Sequence, residues 1–294
     1  MDLARWLGNP SPPLARILDR RLALFRDAYE SLGNWPVVAL PRGIAEIYAL
    51  PAARGNPLAE GCVLFFLAAD VIDDAQDGDL PPDIGWPEAV NAGQALLFGA
   101  LDALSEAAPG AAVAREVADA GRALASGQAI DLTLTWDSAP GEDTVMKAVQ
   151  GKAGASLKLF ARMGALAADR PEAEVATWGE IGEALGTAVQ LRSDVRDLQG
   201  ADSRDFQQSK ATLPVAYAIG RSGGAFQAAA AKGDRAAVCE AIRACGGFTF
   251  VEFKIDGLAL DVADAIERLG LPADAGERLK ALAGAATRGA VVPI

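Results

Sequence analysis

The sequence predicts an all-α protein, and two observations carry this prediction. The chain of 294 residues is 51% hydrophobic and rich in alanine and leucine, and its apolar residues recur at helical spacing over long stretches. Asn-Gly or Asp-Gly turns flanked by alternating apolar strands, which would indicate hairpins, do not occur. Long helices with few strands are therefore the expected secondary structure.

Clusters of glycine, proline and aspartate set the predicted helix boundaries. The breaks read GNWP, LPPDIGWP, DSAPGED, DRPE, LQGADSRD and LPAD. The predicted helices cover residues 11–32, 57–77, 87–107, 111–135, 142–168, 171–199, 211–221, 224–244, 248–268 and 273–288. Because no Gly/Ser-rich or Pro-rich linker and no repeat of fixed period divides the chain, the sequence predicts a single helical domain over residues 1–294 with a central cavity.

Charge and cysteine usage limit the partners and the compartment. The formal net charge of −12 argues against nucleic acid and against anionic membrane surfaces. Cys62, Cys239 and Cys245 form no CxxC or zinc pattern, which fits a reducing cytoplasm. The first residues lack the apolar core of a signal peptide, and no apolar run is long enough for a membrane span. We therefore expect a cytoplasmic protein.

Histidine is absent from the sequence. This excludes Ser-His-Asp and Cys-His nucleophilic catalysis, imidazole acid–base chemistry and nearly all catalytic zinc sites. Any chemistry must depend on carboxylates, amines, the backbone and a bound metal.

An acidic stretch, AADVIDDAQDGD (68–79), follows the apolar run GCVLFFLAA. Asp70, Asp73, Asp74 and Asp77 are spaced i, i+3, i+4 and i+7, which places them on one helical stripe. Neighbouring carboxylates repel each other, and oxygen ligands without nitrogen or sulfur favour Mg²⁺ or Mn²⁺. The alternative is a solvated acidic helix end. The spacing of a calcium loop is absent.

A second acidic face occurs far along the chain, in AVQLRSDVRDLQG. Gln190, Asp194 and Asp197 are spaced i, i+4 and i+7 there. Taken alone, this segment could be an exposed turn held by salt bridges. Two such faces instead suggest opposite walls of a cavity, with divalent ions and a diphosphate between them. Lys152 and Lys210 are candidates for binding the diphosphate, unless they are simply solvated.

Five segments together resemble the trans-isoprenyl diphosphate synthases, also called polyprenyl synthetases. In family order, they are DDAQD (73–77) for its first DDxxD motif, GQAIDL (127–132) for GQxxDL, GKAGASLKLFARMGA (151–165) for the Lys-Thr helix, VQLRSDVRD (189–197) for FQxxDDxxD and SKATLP (209–214) for GKxTLP. Ala153 stands in place of the threonine of the Lys-Thr helix.

The resemblance implies a class I isoprenoid synthase fold, an antiparallel helical bundle around a deep apolar pocket. It also implies an allylic prenyl diphosphate substrate bound through three Mg²⁺ ions, and a homodimer. The implied metal ligands are Asp73, Asp77, Ser193, Asp194 and Asp197. The implied catalytic residues are Asp73, Asp74, Asp77, Lys152 and Asp194, and the substrate-binding residues are Gln128, Asp131, Lys152, Gln190 and Lys210. The family motif does not include Asp70, so its role is open.

Three departures from the family pattern bear on function. Chain-elongating members bind isopentenyl diphosphate through a basic GGKRxRP segment and an Arg-Arg-Gly after the first motif. Here the only basic residues of the upstream region are Arg42 and Arg54. The segment GDLPPDIGWPEAV after Asp77 contains no Arg or Lys. Ser193 replaces the first aspartate of the second motif, and the loop before Lys210 is short. Similar patterns occur in ComQ-type peptide prenyltransferases and in synthase-like terpene cyclases.

The implied reaction leaves three fates for the allylic cation. A terpene synthase cyclises or deprotonates it, and this fate is favoured because it needs no acceptor site. The alternatives are transfer to an aromatic or peptide acceptor, or chain elongation with isopentenyl diphosphate. A catalytically inactive regulatory subunit is a further alternative, although such subunits usually lose the first aspartate motif.

The residues before the first motif bear on substrate length. Ala68 and Ala69 lie about one helical turn before Asp73, where bulky aromatic residues shorten the pocket in the family. Two alanines favour a fifteen- or twenty-carbon substrate, farnesyl or geranylgeranyl diphosphate. Phe65 and Phe66 either stabilise a cation or simply pack in the core.

Overall fold

The computed structural model describes residues 2–32 and 36–288, with side chains described at residues 2–23 and 36–287. Within these ranges the regular structure is helical, and one isolated β-bridge joins Thr135 to Lys210. The helices are a 3₁₀ helix Leu3–Leu7, α1 Pro12–Leu32, α2 Pro36–Ile47, α3 Ala52–Asp77, α4 Trp86–Ala107, α5 Val113–Asp131, α6 Glu142–Val149, a π-helical turn Gln150–Gly154, α7 Ala155–Ala167, α8 Glu172–Gln199, α9 Arg204–Gln207, α10 Leu213–Arg221, α11 Ala225–Ala230, α12 Arg235–Ala244, α13 Gly247–Leu269 and α14 Ala273–Arg288. The predicted all-α class is confirmed.

Most predicted helices are present, and the differences arise at proline and glycine. The sequence prediction missed α2 (Pro36–Ile47), because it placed a break at GNWP, which includes Pro36, and began the next helix at residue 57. Helix α3 begins at Ala52, five residues before the predicted start, with Pro57 in its first turns. The predicted helix 224–244 is two helices, α11 and α12, separated near Gly233. Of the predicted break GNWP, only Pro36 lies among the described residues.

Close glycine contacts determine how the neighbouring helices pack. A Cβ added at Gly61 of α3 would lie 2.7 Å from the Leu104 side chain of α4. A Cβ added at Gly93 of α4 would lie 2.7 Å from the Ile72 side chain of α3. Contacts that run in opposite directions along the two helices mean that α3 and α4 are antiparallel.

Helices α7 and α8 pack in the same way but more tightly. A Cβ on Gly182 of α8 would lie 2.2 Å from the Leu157 carbonyl oxygen, and one on Gly186 would lie 2.2 Å from the carbonyl oxygen of Ala153 in the π-helical turn that leads into α7. Since successive α8 glycines meet successively earlier residues, this pair is also antiparallel. The backbones touch directly here, without side chains between them.

The buried hydrophobic residues form two clusters that share helix α8. One cluster includes Trp178, Ile181 and Leu185 from its first half, and the other includes Leu191 and Leu198 from its second half. A helix that contributes to both clusters connects them without a linker. The single domain over the whole chain stays a prediction.

None of the described helices combines the length and the apolar character that crossing a bilayer requires.

Candidate active site

The acidic stripe of α3 divides into two pairs of aspartates. Asp70 and Asp74 face Arg21 of α1, whose Nη1 lies 3.5 Å from Asp70 Oδ2 and whose Nη2 lies 2.7 Å from Asp74 Oδ2. The guanidinium is buried, with 6% of Arg21 exposed. Asp74, which the resemblance implied as catalytic, is therefore paired with an arginine beside the core.

The other pair of aspartates lies near two lysines. Lys152 Nζ is 2.8 Å from Asp73 Oδ1 and 2.7 Å from Asp131 Oδ2. Lys210 Nζ is 2.8 Å from the same Asp131 oxygen. Asp77 Oδ1 accepts a hydrogen bond from Gln128 Nε2 at 3.3 Å. Residues from four separate segments thus form one charged cluster.

A π-helical turn carries Lys152 into this cluster. The sequence prediction of one continuous helix over 142–168 was wrong at Gln150–Gly154, where the chain winds more widely. A Cβ on Gly127 of α5 would lie 2.8 Å from the Gly151 backbone, so the turn fits only against glycine. Insertions of this kind are frequent at functional sites because they redirect a side chain.

Backbone contacts hold Lys210 in place. The segment after α5 pairs with it, because Ala211 N donates to Leu134 O at 2.9 Å and Trp136 Nε1 donates to Lys210 O at 2.9 Å. The Trp136 ring packs edge-on against Phe206 and Phe226. The predicted extension of α5 to residue 135 was wrong, since α5 ends at Asp131 and the following turn forms this support.

The second acidic face, on α8, is not uniform. Asp194 is buried and accepts a hydrogen bond from Gln190 Nε2 at 2.7 Å. Asp197 instead accepts bonds from the loop that follows, from Ser203 Oγ at 2.8 Å and from Asp205 N at 3.0 Å. Ser193 is exposed.

The ionisation of the cluster follows from burial and from the two ammonium groups. Burial acts to raise the pKa of Asp131, but Lys210 and Lys152 outweigh it and hold this pKa below the ordinary value. Burial raises the pKa of Asp194 to about 6. Burial and the neighbouring Asp73 also raise the pKa of Asp77. A carboxylate with a raised pKa gains from a nearby cation.

A cavity of about 30 Å³ lies beside these groups, lined by residues that include Asp131, Lys152, Gln190, Asp194 and Lys210. Such a volume accommodates about one water molecule. The deep apolar pocket implied by the resemblance stays a prediction.

The oxygen donors fit a hard divalent cation. Gln128 Oε1 is buried and has no hydrogen-bond partner among the described residues, so it can accept from a metal-bound water. Asp73, Asp77 and Asp194 supply carboxylates, the ligand type that Mg²⁺ prefers. In the described part of the chain, however, no three acidic or cysteine side chains are already arranged to hold a metal ion.

The remaining residues considered in the sequence analysis are Arg54, Phe65, Ala68 and Ala69. Ala68 is buried and Ala69 is partly exposed on α3. Phe65 packs edge-on against Phe160 in the core, 6.0 Å between ring centroids, as in the plainer alternative for this residue. Arg54 pairs with Asp169 at 2.6 Å, far from the acidic stripe.

Sequence reasoning missed four residues near the site. Arg21 lies far from the motifs in sequence, and nothing in the pattern of α1 distinguished it from Arg20. Asp205 and Arg204 fall in a segment predicted only as a break. Thr212 is part of the SKATLP segment, so the motif itself could have identified it. Its hydroxyl is buried beside Lys210.

Comparisons with known proteins identify the family and the fold of the chain. The model of the family described as polyprenyl synthetase matches residues 79–243, a range that includes Gln128, Asp131, Lys152, Asp194 and Lys210 and begins after the first acidic motif. Curated relatives from Mycobacterium bovis and Mycobacterium tuberculosis, named (2E,6E)-farnesyl diphosphate synthase, are 28% identical over 211 residues. The match covers 64% of this chain and 58% of those relatives' length.

Solved structures share the fold over nearly the whole chain. The polyprenyl synthetase from Streptomyces coelicolor A3(2) superposes with a TM-score of 0.80 at 21% identity, covering 97% of this chain and 95% of that one. A geranylgeranyl pyrophosphate synthetase from the archaeon Geoglobus acetivorans gives 0.80 at 18% identity, with coverages of 97% and 95%. A polyprenyl synthase from Caulobacter crescentus CB15, complexed with calcium and isoprenyl diphosphate, gives 0.76 at 23% identity, covering 93% of each chain. The predicted isoprenoid synthase fold is confirmed.

Proposed function

Because the chain belongs to the polyprenyl synthetase family, we propose that it is an enzyme that ionises an allylic prenyl diphosphate, with farnesyl or geranylgeranyl diphosphate as substrate. One observation carries the proposal. Two ammonium groups from separate segments, Lys152 and Lys210, converge within 2.8 Å of Asp131 of α5, and Lys152 also lies 2.8 Å from Asp73 of the acidic helix α3. Two fixed cations at one point suit a leaving group of high negative charge.

The protein's own residues supply orientation and charge. Asp131 holds both ammonium groups at fixed positions, so little reorganisation is needed when negative charge develops on the departing diphosphate. Lysine serves as a compact positive charge towards phosphate oxygens. The apolar interior next to the cluster excludes water from the cation that remains.

Mg²⁺ is the proposed cofactor. Asp73 and Asp77 would hold it on α3, and Asp194 would hold it on α8, with the three ions implied by the family resemblance. When bound, it would neutralise the diphosphate and make it a better leaving group.

We place a terpene synthase first among the possible outcomes for the cation. Arg42 and Arg54, the two arginines upstream of the first motif, do not replace the acceptor site that the sequence lacks. Arg54 donates to Ala167 O at 2.9 Å, and Arg42 lines a cavity with Glu60, which precedes Asp73 by 13 residues on α3. This separation corresponds to about 20 Å along the helix. Neither arginine supports binding of a second diphosphate at the site.

Chain elongation is the second candidate, supported by a different observation. Arg204 Nη1 lies 3.1 Å from Asp79 Oδ2, and Arg20 pairs with Asp83 at 2.6 Å. Both exposed guanidinium groups therefore reach the segment after Asp77, which carries no cation of its own. The curated relatives are also named as farnesyl diphosphate synthases. Transfer to an aromatic or peptide acceptor is the third candidate.

A product assay distinguishes these functions. Purified protein with Mg²⁺ receives geranyl, farnesyl or geranylgeranyl diphosphate, each with and without isopentenyl diphosphate, and products are analysed by gas chromatography and mass spectrometry. We expect a hydrocarbon or terpene alcohol from the allylic substrate alone. Elongated diphosphate formed only with isopentenyl diphosphate would establish chain elongation instead. Slow hydrolysis alone would favour another acceptor, and no diphosphate release from folded protein would indicate an inactive subunit.

Substrate length gives a separate prediction. Replacing Ala69 with phenylalanine is expected to shift the preference towards a shorter prenyl chain, because a ring one turn before Asp73 would occupy the space next to the substrate. Competition between ten-, fifteen- and twenty-carbon diphosphates measures the shift. Ala53→Phe, at an exposed position near the start of the same helix, is the control. An unchanged preference in the Ala69 variant would contradict this assignment.

A homodimer also stays a prediction. Phe98 and Trp86 of α4 are exposed, at 68% and 56% of their surfaces. Exposed aromatic side chains on one helix are compatible with a subunit contact.

A further inference from the structure

Thr212 stands at the N-terminus of helix α10, where it lines the cavity of the candidate active site. We propose that its hydroxyl and the first turn of α10 bind a phosphate group of the diphosphate, beside Lys210. This inference rests on the proposed function and adds a binding residue to it. The family resemblance implied a role for Lys210 but none for Thr212.

The N-terminus of α10 lacks a side-chain cap. Thr212 is the N-cap residue of this helix of 9 residues, with extended backbone angles of φ −66° and ψ 169°, yet its side chain makes no capping hydrogen bond. A capping hydroxyl accepts from the second or third residue of a helix, and the second residue here is Pro214, which has no N–H. The N–H groups of Leu213 and Val215 have no partner within the helix. This end of α10 therefore keeps its partial positive charge.

The Thr212 hydroxyl is buried without a partner. With 4% of the residue exposed, its Oγ1 makes no hydrogen bond within the part of the chain that the structure describes. Two other buried threonines, Thr187 and Thr287, donate to carbonyl oxygens four residues earlier, at 2.8 and 2.9 Å. A buried hydroxyl without a partner is costly, so a ligand that supplies an acceptor would stabilise this arrangement.

The backbone directs Thr212 and Lys210 to the same side. Lys210 lies in the isolated β-bridge, and Thr212, two residues later, also has extended backbone angles. Alternate side chains of an extended segment point to the same side. Because the Lys210 ammonium lies 2.8 Å from Asp131, the Thr212 side chain is directed towards the same charged cluster. Both residues line the cavity together with Asp131.

The donors at this end of the cavity fit a phosphate oxygen. A hydroxyl, an ammonium group and the amides of a helix N-terminus all donate hydrogen bonds, and helix N-termini are common phosphate-binding sites. A metal ion would gain nothing from N–H donors, which distinguishes this end of the cavity from the acidic faces of α3 and α8. Asp131 shares the charge of Lys210, whereas Thr212 has no carboxylate partner. A phosphate oxygen here would not compete with a carboxylate for the hydroxyl.

Binding of inorganic pyrophosphate tests the inference without turnover. Calorimetric titration of the full chain with pyrophosphate in the presence of Mg²⁺ gives the affinity. Thr212→Val keeps the shape of the side chain and removes the hydroxyl, so it is expected to weaken binding by about 10- to 100-fold, the typical value of a hydrogen bond to a charged group. Thr212→Ser keeps the hydroxyl and should stay within a few-fold of the wild type. Thr144→Val, at an exposed position on α6, is the control and should bind as the wild type.

The stability of the free protein separates ligand binding from a structural role. If the hydroxyl capped α10, Thr212→Val would lower the midpoint of chemical denaturation without ligand. An unpartnered hydroxyl predicts an unchanged or raised midpoint, because valine removes a buried polar group. Wild-type affinity of Thr212→Val, or weaker binding together with a lowered midpoint, would overturn the inference while leaving the proposed function intact. Failure of the wild type to bind pyrophosphate with Mg²⁺ would overturn both.

Discussion

Replacing Lys152 with methionine is expected to lower the rate of allylic diphosphate ionisation by about 10²–10³-fold, the loss typical of removing one preorganised stabilising group. The methionine keeps the length of the side chain but removes the ammonium that bridges Asp73 and Asp131 at 2.8 and 2.7 Å. Single-turnover release of pyrophosphate from farnesyl diphosphate measures the effect directly.

Lys147 provides the matched control for this variant. It lies five residues earlier on α6 and is exposed, so Lys147→Met should retain wild-type rates. Circular dichroism should show unchanged helicity in both variants. A Lys152→Met enzyme that turns over within a few-fold of wild type would remove this lysine from the site.

Replacing Gly182 with alanine is expected to lower the free energy of unfolding by about 1–3 kcal/mol, as overpacking typically does. The new methyl group would lie 2.2 Å from the Leu157 carbonyl oxygen and 2.9 Å from Lys158 Cα. Both are backbone atoms, so α7 and α8 must separate to accommodate it. Chemical denaturation followed by circular dichroism measures the change.

Gly257 on α13 is the corresponding control. Its added Cβ would meet nothing within 4 Å, so Gly257→Ala should be neutral or stabilising by about 0.5–1 kcal/mol, because alanine favours a helix over glycine. If both variants had the same stability, the close approach of α7 and α8 would not limit packing.

The acidic stripe shows how far sequence spacing predicts a site. The i, i+3, i+4, i+7 pattern correctly placed four aspartates on one face of α3. It could not predict that the stripe divides, because Arg21, which pairs with Asp70 and Asp74, comes from a distant helix. Local periodicity describes one surface of a helix, whereas the opposite charge is supplied by tertiary packing.

The two lysines of the site also show what a local sequence pattern can and cannot predict. The motifs predicted that Lys152 and Lys210 belong together, and the structure brings both to Asp131. The π-helical turn beneath Lys152 was not predicted, since a wider winding depends on the contact between Gly127 and Gly151 from different helices. The role of Asp197 as a loop anchor was likewise hidden, because its partners Ser203 and Asp205 lie in a segment without periodicity.

The pairing of both ammonium groups with carboxylates determines the form in which the proposed diphosphate substrate would enter. Asp73 and Asp131 pair with the two lysines, while Asp77 and Asp194 are nearby carboxylates whose pKa is raised, chiefly by burial. A bare anion gains little there, because carboxylates already neutralise both ammonium groups and the unpaired carboxylates repel it. An anion that arrives already complexed with divalent ions brings its own counter-charge for the spare carboxylates. The resting enzyme should therefore resist occupation by metal-free phosphates, which a site with surplus positive charge would accumulate.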